Sequence, residues 1–237
     1  MATINDSLIA YLQKSEGGLS RATTDTASRS PSPYIYNGQK GWHTNKGITW
    51  DTFRTNASIG GYEVNQDNFI KMPNDIWGKI LKIGYWNPMN CSNYTSQAIA
   101  DVVVDFAWAS GVGGAKKALI KYLGNKGIKV DGAVSISNAF NELVKKDGET
   151  KTFNDLIEER KRYFKSLNQP ANERGWLNRM EVLRKHGTNL LGKIMDSAKE
   201  TITETTETVK KNPIIIASLT FGIIITSYIF YKTITKK

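Results

Sequence analysis

Glu16 is the residue around which a reaction could be built. It follows an apolar stripe of helical spacing, Ile4, Leu8, Tyr11 and Leu12, and it precedes Gly17-Gly18, a pair that stops a helix. A carboxyl placed there meets the negative end of a helix dipole, and burial in a cleft would act in the same sense. Both effects favour the neutral acid, the form that can protonate a leaving oxygen. A solvated glutamate at a helix end is the alternative that the local sequence leaves open.

Other chemistries fit the residue inventory poorly. A zinc amidase or endopeptidase needs several His, Cys or Asp ligands at suitable spacing. The chain has two histidines, His43 and His186, and no H-E-x-x-H. Cys91 is the one cysteine, so no intrachain disulfide can form. It lies beside a turn without a convincing basic partner, and reads as a semi-buried thiol rather than a nucleophile.

The run Ser15-Glu16-Gly17-Gly18 followed by Thr44-Asn45-Lys46-Gly47-Ile48-Thr49 resembles glycoside hydrolase family 108, the lysozyme-like muramidases of phages and bacteria. The resemblance continues through Tyr85-Trp86-Asn87-Pro88 and residues 99–111, where Asp105 and Gly111 stand. It extends to Val130-Asp131-Gly132 and Arg174-Gly175-Trp176-Leu177-Asn178-Arg179, which are similar to the family's C-terminal peptidoglycan-binding region. In all it covers roughly residues 4–186. It implies cleavage of the β-1,4 bond between N-acetylmuramic acid and N-acetylglucosamine, with Glu16 as the acid and no cofactor.

The family usually carries an acidic, glycine-rich stretch between its two motifs. This chain has residues 21–32 instead, with Asp25 as the single acid there. Asp25 follows Glu16 by nine positions, a spacing similar to that of phage-type lysozymes, and could stabilise positive charge or activate water. An acid forming a local turn is the competing reading. Thr49 or Thr44 could position a water, although Thr49 also suits the N-cap of a helix from Trp50. Trp42, Tyr34 and Tyr36 could stack on sugar rings or serve packing. Without a second carboxylate, a lytic transglycosylase reaction on the same bond becomes the alternative, because the muramyl 6-hydroxyl then replaces water.

Helical periodicity dominates the elements that must carry these groups, so the fold class expected is mainly α: a lysozyme-like helical domain with a small β-hairpin and long loop by the active site. Asn37-Gly38 is a good turn pair for a hairpin over residues 34–41. Asn74 can cap a helix through Ile76, Trp77, Ile80 and Leu81 that ends near Gly84. Ser96 can cap a helix whose apolar residues nearly encircle it, as a central buried helix would require. A short helix is expected from Ala115 to Leu123, ended by Gly124, another from Ser135, a longer one from Thr152, and a last one from Arg174 to Lys185, ending at Gly187. Asp105, on the central helix, reads as a buried structural carboxylate, and Trp176 as core.

The expected organisation is a catalytic lobe at 1–92, a helical lobe at 93–187 that completes the same body, an amphipathic stalk at 188–212, a transmembrane helix at 213–231 and a basic tail at 232–237. Residues 214–230 carry no charge. Their helical length, about 26 Å, nearly matches a hydrocarbon core of about 30 Å. Ser218 and Gly222 form a small-xxx-small pair that can favour homo-oligomers. Membrane attachment by one C-terminal helix is therefore expected. With no export signal at the start, the expected setting is viral: the internal membrane of a phage virion or the host inner membrane, in lysis or entry.

The net charge of +10 suits an anionic partner: nucleic acid, lipid or wall polymer. The basic residues are scattered rather than massed, and a nucleic-acid partner is not expected. The expected partners are peptidoglycan glycan strands and the lipid bilayer. The competing non-enzymatic reading is a membrane-anchored wall-binding protein that kept the fold and lost its activity.

Overall fold

The computed structural model describes residues 1–19, 35–36, 39–40 and 44–211. These divide into a compact unit, Met1–Leu190, and a second, Leu191–Lys237, in which the described part is helical as far as Lys211. The expected transmembrane segment and basic tail lie outside the described residues.

The fold is mainly helical, with two short hairpins. Helix α1 (Asp6–Ser15) starts where the Asn5 side chain accepts from the Leu8 N–H, and it buries Leu8, Tyr11 and Leu12. Strands β1 (Ile35–Tyr36) and β2 (Gln39–Lys40) pair antiparallel, as the Asn37-Gly38 signal predicts. A second hairpin joins β3 (Thr44–Asn45) to β4 (Ile48–Thr49). The sequence reading missed it, because its turn pair is Lys46-Gly47, and lysine seldom adopts the positive φ of 47° found here.

Helix α2 (Trp50–Ile59) begins at the Thr49 cap, and α3 (Gln66–Lys71) at an Asn65 cap the sequence reading did not single out. In α4 (Asn74–Leu81), Asn74 is the first helical residue and Pro73 stands at the cap. The chain then widens into a π-helical turn over Lys82–Trp86.

The expected central helix is present as α5 (Gln97–Asn125), capped by Ser96. Its first three turns are buried on every side, from Ala98 to Trp108. It runs on through the expected second helix, interrupted only at Gly111, whose φ of 72° suits glycine. This helix is also long and apolar enough to cross a membrane, but 67% of that apolar stretch is buried in the protein. Its apolar surface is covered by α6 (Ala133–Asp147), α7 (Glu149–Ser166) and the π-helical turn. Both α6 and α7 start before the caps expected at Ser135 and Thr152. In α6 the Ser135 hydroxyl instead accepts from the Asp131 and Gly132 N–H groups.

Helix α8 (Pro170–Lys211) does not stop at Gly187. A side chain there would come within 2.3 Å of the Phe153 ring. This glycine permits close approach of two helices, where the sequence suggested a stop.

Candidate functional site

Glu16 is the C-cap residue of α1, and its N–H donates to the Gln13 carbonyl at 3.2 Å. The extended backbone at Glu16 turns its side chain away from the helix and into the protein, where it is 17% exposed. Its Oε1 accepts two hydrogen bonds. Trp108 Nε1 donates from α5 at 2.9 Å, and Arg179 Nη1 donates from α8 at 2.9 Å.

The other carboxylate oxygen faces the β3–β4 turn. A Cβ on Gly47 would lie 2.5 Å from Oε2 and 2.6 Å from the carboxyl carbon. Glycine is required here twice, for that approach and for its φ of 77°. The turn is tied down from several sides. Asn45 Nδ2 donates to the Phe69 and Ile70 carbonyls at 2.6 and 2.8 Å. Lys46 Nζ donates to the Met72 carbonyl at 2.8 Å, and the Lys46 carbonyl accepts from Trp77 Nε1 at 3.1 Å.

An aromatic cluster supports Trp108. Its ring centroid lies 5.1 Å from that of Trp77 and 4.8 Å from that of Tyr85. Burial raises the Tyr85 phenol above its ordinary value; a hydrogen bond with Thr52 opposes the rise, and the Glu16 charge adds to it. Tyr85 projects from the π-helical turn, a feature frequent at functional sites.

Behind Glu16 lies a chain of alternating charges. Arg179 Nε and Nη2 both donate to Asp105 Oδ1, at 3.0 and 2.7 Å. Tyr11 donates its hydroxyl to the same oxygen at 3.0 Å. Asp105 Oδ2 accepts from Arg160 Nη1 at 2.6 Å. Asp105 and Arg160 are both fully buried. Burial would raise the Asp105 carboxyl, but Arg179 and then Arg160 outweigh it and hold it at about 2. The Arg160 guanidinium also lies 4.8 Å from the Phe106 ring centroid. Two carboxylates and two guanidiniums thus balance in charge.

A second polar link joins α5 to α8. His186 Nε2 lies 2.8 Å from Asp101 Oδ2, and its ring stacks on Tyr11 with centroids 5.0 Å apart. Burial raises the Asp101 carboxyl, opposed by hydrogen bonds from His186 and Gln97.

The residues expected at the site are distributed unevenly. Glu16 and the Thr44–Thr49 hairpin come together. Thr44 and Thr49 pair across β3 and β4. The Thr49 hydroxyl accepts from the Thr52 N–H at 3.1 Å and donates to the Thr52 hydroxyl at 3.0 Å, so it caps α2. Tyr36 pairs through its backbone with Gln39. Asp25, Tyr34 and Trp42 lie outside the described residues. Asp105 is the buried structural carboxylate expected, and Trp176 stacks on Phe164 at 5.1 Å. Cys91 is buried completely. Among the described residues, no group of three or more His, Cys, Asp or Glu could hold a metal ion.

Trp108, Arg160 and Arg179 were not expected as partners of the site. Trp108 is one turn beyond Asp105 on the same helix, a spacing that puts both on one face. Arg179 is separated from Glu16 by 163 positions, and no local pattern reveals such a pairing.

Residues 9–111 match the family model described as Glycosyl hydrolase 108. The solved structure of Brucella abortus SagA shares the fold with a TM-score of 0.55. It is 23% identical, and the match covers 76% of this chain and 91% of that one. Comparison with curated proteins gives no match. Glu16, Trp108 and Asp105 fall within the matched residues, and Arg160 and Arg179 beyond them.

Proposed function

We propose that the chain, whose residues 9–111 match the Glycosyl hydrolase 108 family model, is a glycoside hydrolase of the N-acetylmuramidase type with Glu16 as its general acid. The substrate is the glycan strand of peptidoglycan, and the bond is the β-1,4 link from N-acetylmuramic acid to N-acetylglucosamine. The Glu16 proton passes to the bridging oxygen as the C1–O bond breaks and its electron pair stays on that oxygen. Water adds to C1 and gives up its proton to a base. Asp25 is proposed as that base, and Thr44 as a residue that helps to hold the water. Thr49 acts through the hairpin and the α2 cap. Trp42, Tyr34 and Tyr36 are proposed to contact the sugars.

The observation that supports this reading is the setting of Glu16. One carboxyl oxygen is engaged by two N–H donors, and the other packs against Gly47, where a side chain would collide with it. A merely solvated glutamate would show neither feature. The test uses the full-length chain on purified peptidoglycan, with products separated and weighed by mass spectrometry. Products with a free reducing muramic end are expected, and Glu16→Gln is expected to lower the rate by about 10²- to 10⁴-fold. Anhydro-muramic ends would instead identify a lytic transglycosylase. Absence of any cleavage by the unaltered chain would favour the wall-binding role.

The uncharged stretch at 214–230 supports a further part of the proposal, attachment of the enzyme to a lipid bilayer. Flotation with liposomes of the full chain, beside a chain ending at residue 211, tests it. Equal flotation of the two would overturn it.

A further inference from the structure

We propose that Trp108 and Arg179 decide which oxygen of Glu16 carries the proton, with Arg179 as a positioning residue supplied by α8 from outside the family-matched segment. The inference rests on the reading of Glu16 as the acid. Oε1 has two lone pairs in the carboxyl plane, and two N–H donors approach it at 2.9 Å each. A proton on Oε1 would confront one of those donors. The neutral acid therefore carries its proton on Oε2. Among the described residues Oε2 accepts no hydrogen bond, and it packs against Gly47, whose missing side chain admits the carboxyl group itself. The proton leaves from Oε2 to the glycosidic oxygen, while Oε1 retains both donors as negative charge develops on the carboxylate.

Arg179 is suited to this task by its planarity. Its Nε and Nη2 are both engaged by Asp105 Oδ1, which fixes the plane and direction of Nη1. Asp105 is itself immobilised by Arg160 and Tyr11. A lysine at position 179 could reach one carboxylate but not hold this three-point arrangement. The alternative is that Arg179 only fastens α8 to Asp105. That alternative leaves Nη1 without a reason to lie 2.9 Å from Oε1.

The experiment measures kcat and KM of the full-length chain on soluble peptidoglycan glycan fragments, together with thermal midpoints. Arg179→Lys and Trp108→Phe are each expected to lower kcat at least about tenfold with KM within about twofold. In a Glu16→Gln background, assayed on an aryl glycoside that reacts without protonation, the same substitutions are expected to change the rate less than twofold. Equal losses in both backgrounds would show a purely structural role and overturn the proposal. Should Arg179→Lys fail to fold, Trp108→Phe decides alone, since it keeps an aromatic ring in the cluster and removes the donor, and its thermal midpoint reports the packing lost with the smaller ring. If Glu16→Gln is inactive on glycan while both other variants keep full kcat, the positioning role fails and the acid stands. If Glu16→Gln keeps full activity, the acid assignment itself fails.

Discussion

Arg179 Nη1 lies 2.9 Å from Glu16 Oε1, joining α8 to the end of α1 across 163 positions of sequence. The same guanidinium grips Asp105 on the central helix. The carboxyl proposed to do chemistry is therefore held by three helices rather than by a loop. Such a support limits its excursions to the small distances that proton transfer tolerates.

The buried ion pairs predict a particular acid sensitivity. Asp105 is held at about 2, so its folded form favours the charged state. The stability this confers, roughly 2 kcal/mol, is complete above about pH 4 and is lost as pH falls through about 2. An asparagine at this position cannot ionise. The thermal midpoints of the full chain and of Asp105→Asn should differ by a constant gap above about pH 4. The gap should narrow steadily toward pH 2. A gap that does not change with pH would contradict the charged, doubly paired carboxylate.

Gly47→Ala should injure activity out of proportion to stability. The positive φ of 77° makes alanine strained by about 1 kcal/mol or more. The added methyl would also press on Glu16, since its nearest approach to Oε2 would be 2.5 Å. A shift of the carboxyl or of the turn is unavoidable. A fall in kcat of about 10²-fold is expected from a displacement near 1 Å, with a thermal midpoint only a few degrees lower. A kcat unchanged from the parent would show that Gly47 and Glu16 do not meet during the reaction.

The packing of α8 on α7 can be tested apart from the site. Gly187→Ala would place a methyl 2.3 Å from the Phe153 ring, and overpacking of this kind costs about 1–3 kcal/mol. The double variant with Phe153→Leu should recover part of that loss. Denaturant midpoints measure both. A stabilising effect of Gly187→Ala alone, as expected for an exposed helical glycine, would contradict the close approach.

The sequence exposed those parts of the fold that depend on neighbours in the chain. The apolar stripe before Gly17-Gly18 announced α1, and the encircling apolar residues after Ser96 announced the core helix. Asn37-Gly38 located the first hairpin, and Thr49 the start of α2. The failures have a common origin in tertiary contact. Gly187 looked like a helix stop because glycine usually ends helices, but here Phe153 needs the space. Lys46-Gly47 carries a weak turn signal, and its geometry is fixed from α3 and α4 by the contacts of Asn45, Lys46 and Trp77. In the candidate site, Glu16 was legible from its place at a helix end beside a glycine pair. Arg160 and Arg179 were not, because a partner contributed from a distant helix leaves no periodic trace.

The central claim is that Glu16 supplies a proton to the departing oxygen. It is tested most directly by comparing Glu16→Gln with the unaltered chain on two substrates, a natural glycan and an aryl glycoside whose phenolate leaves without protonation. The account predicts a loss of about 10²- to 10⁴-fold on the glycan and a much smaller one on the aryl glycoside. Equal losses on both would contradict it, because a residue needed regardless of the leaving group acts on the attacking side of the bond or on the fold.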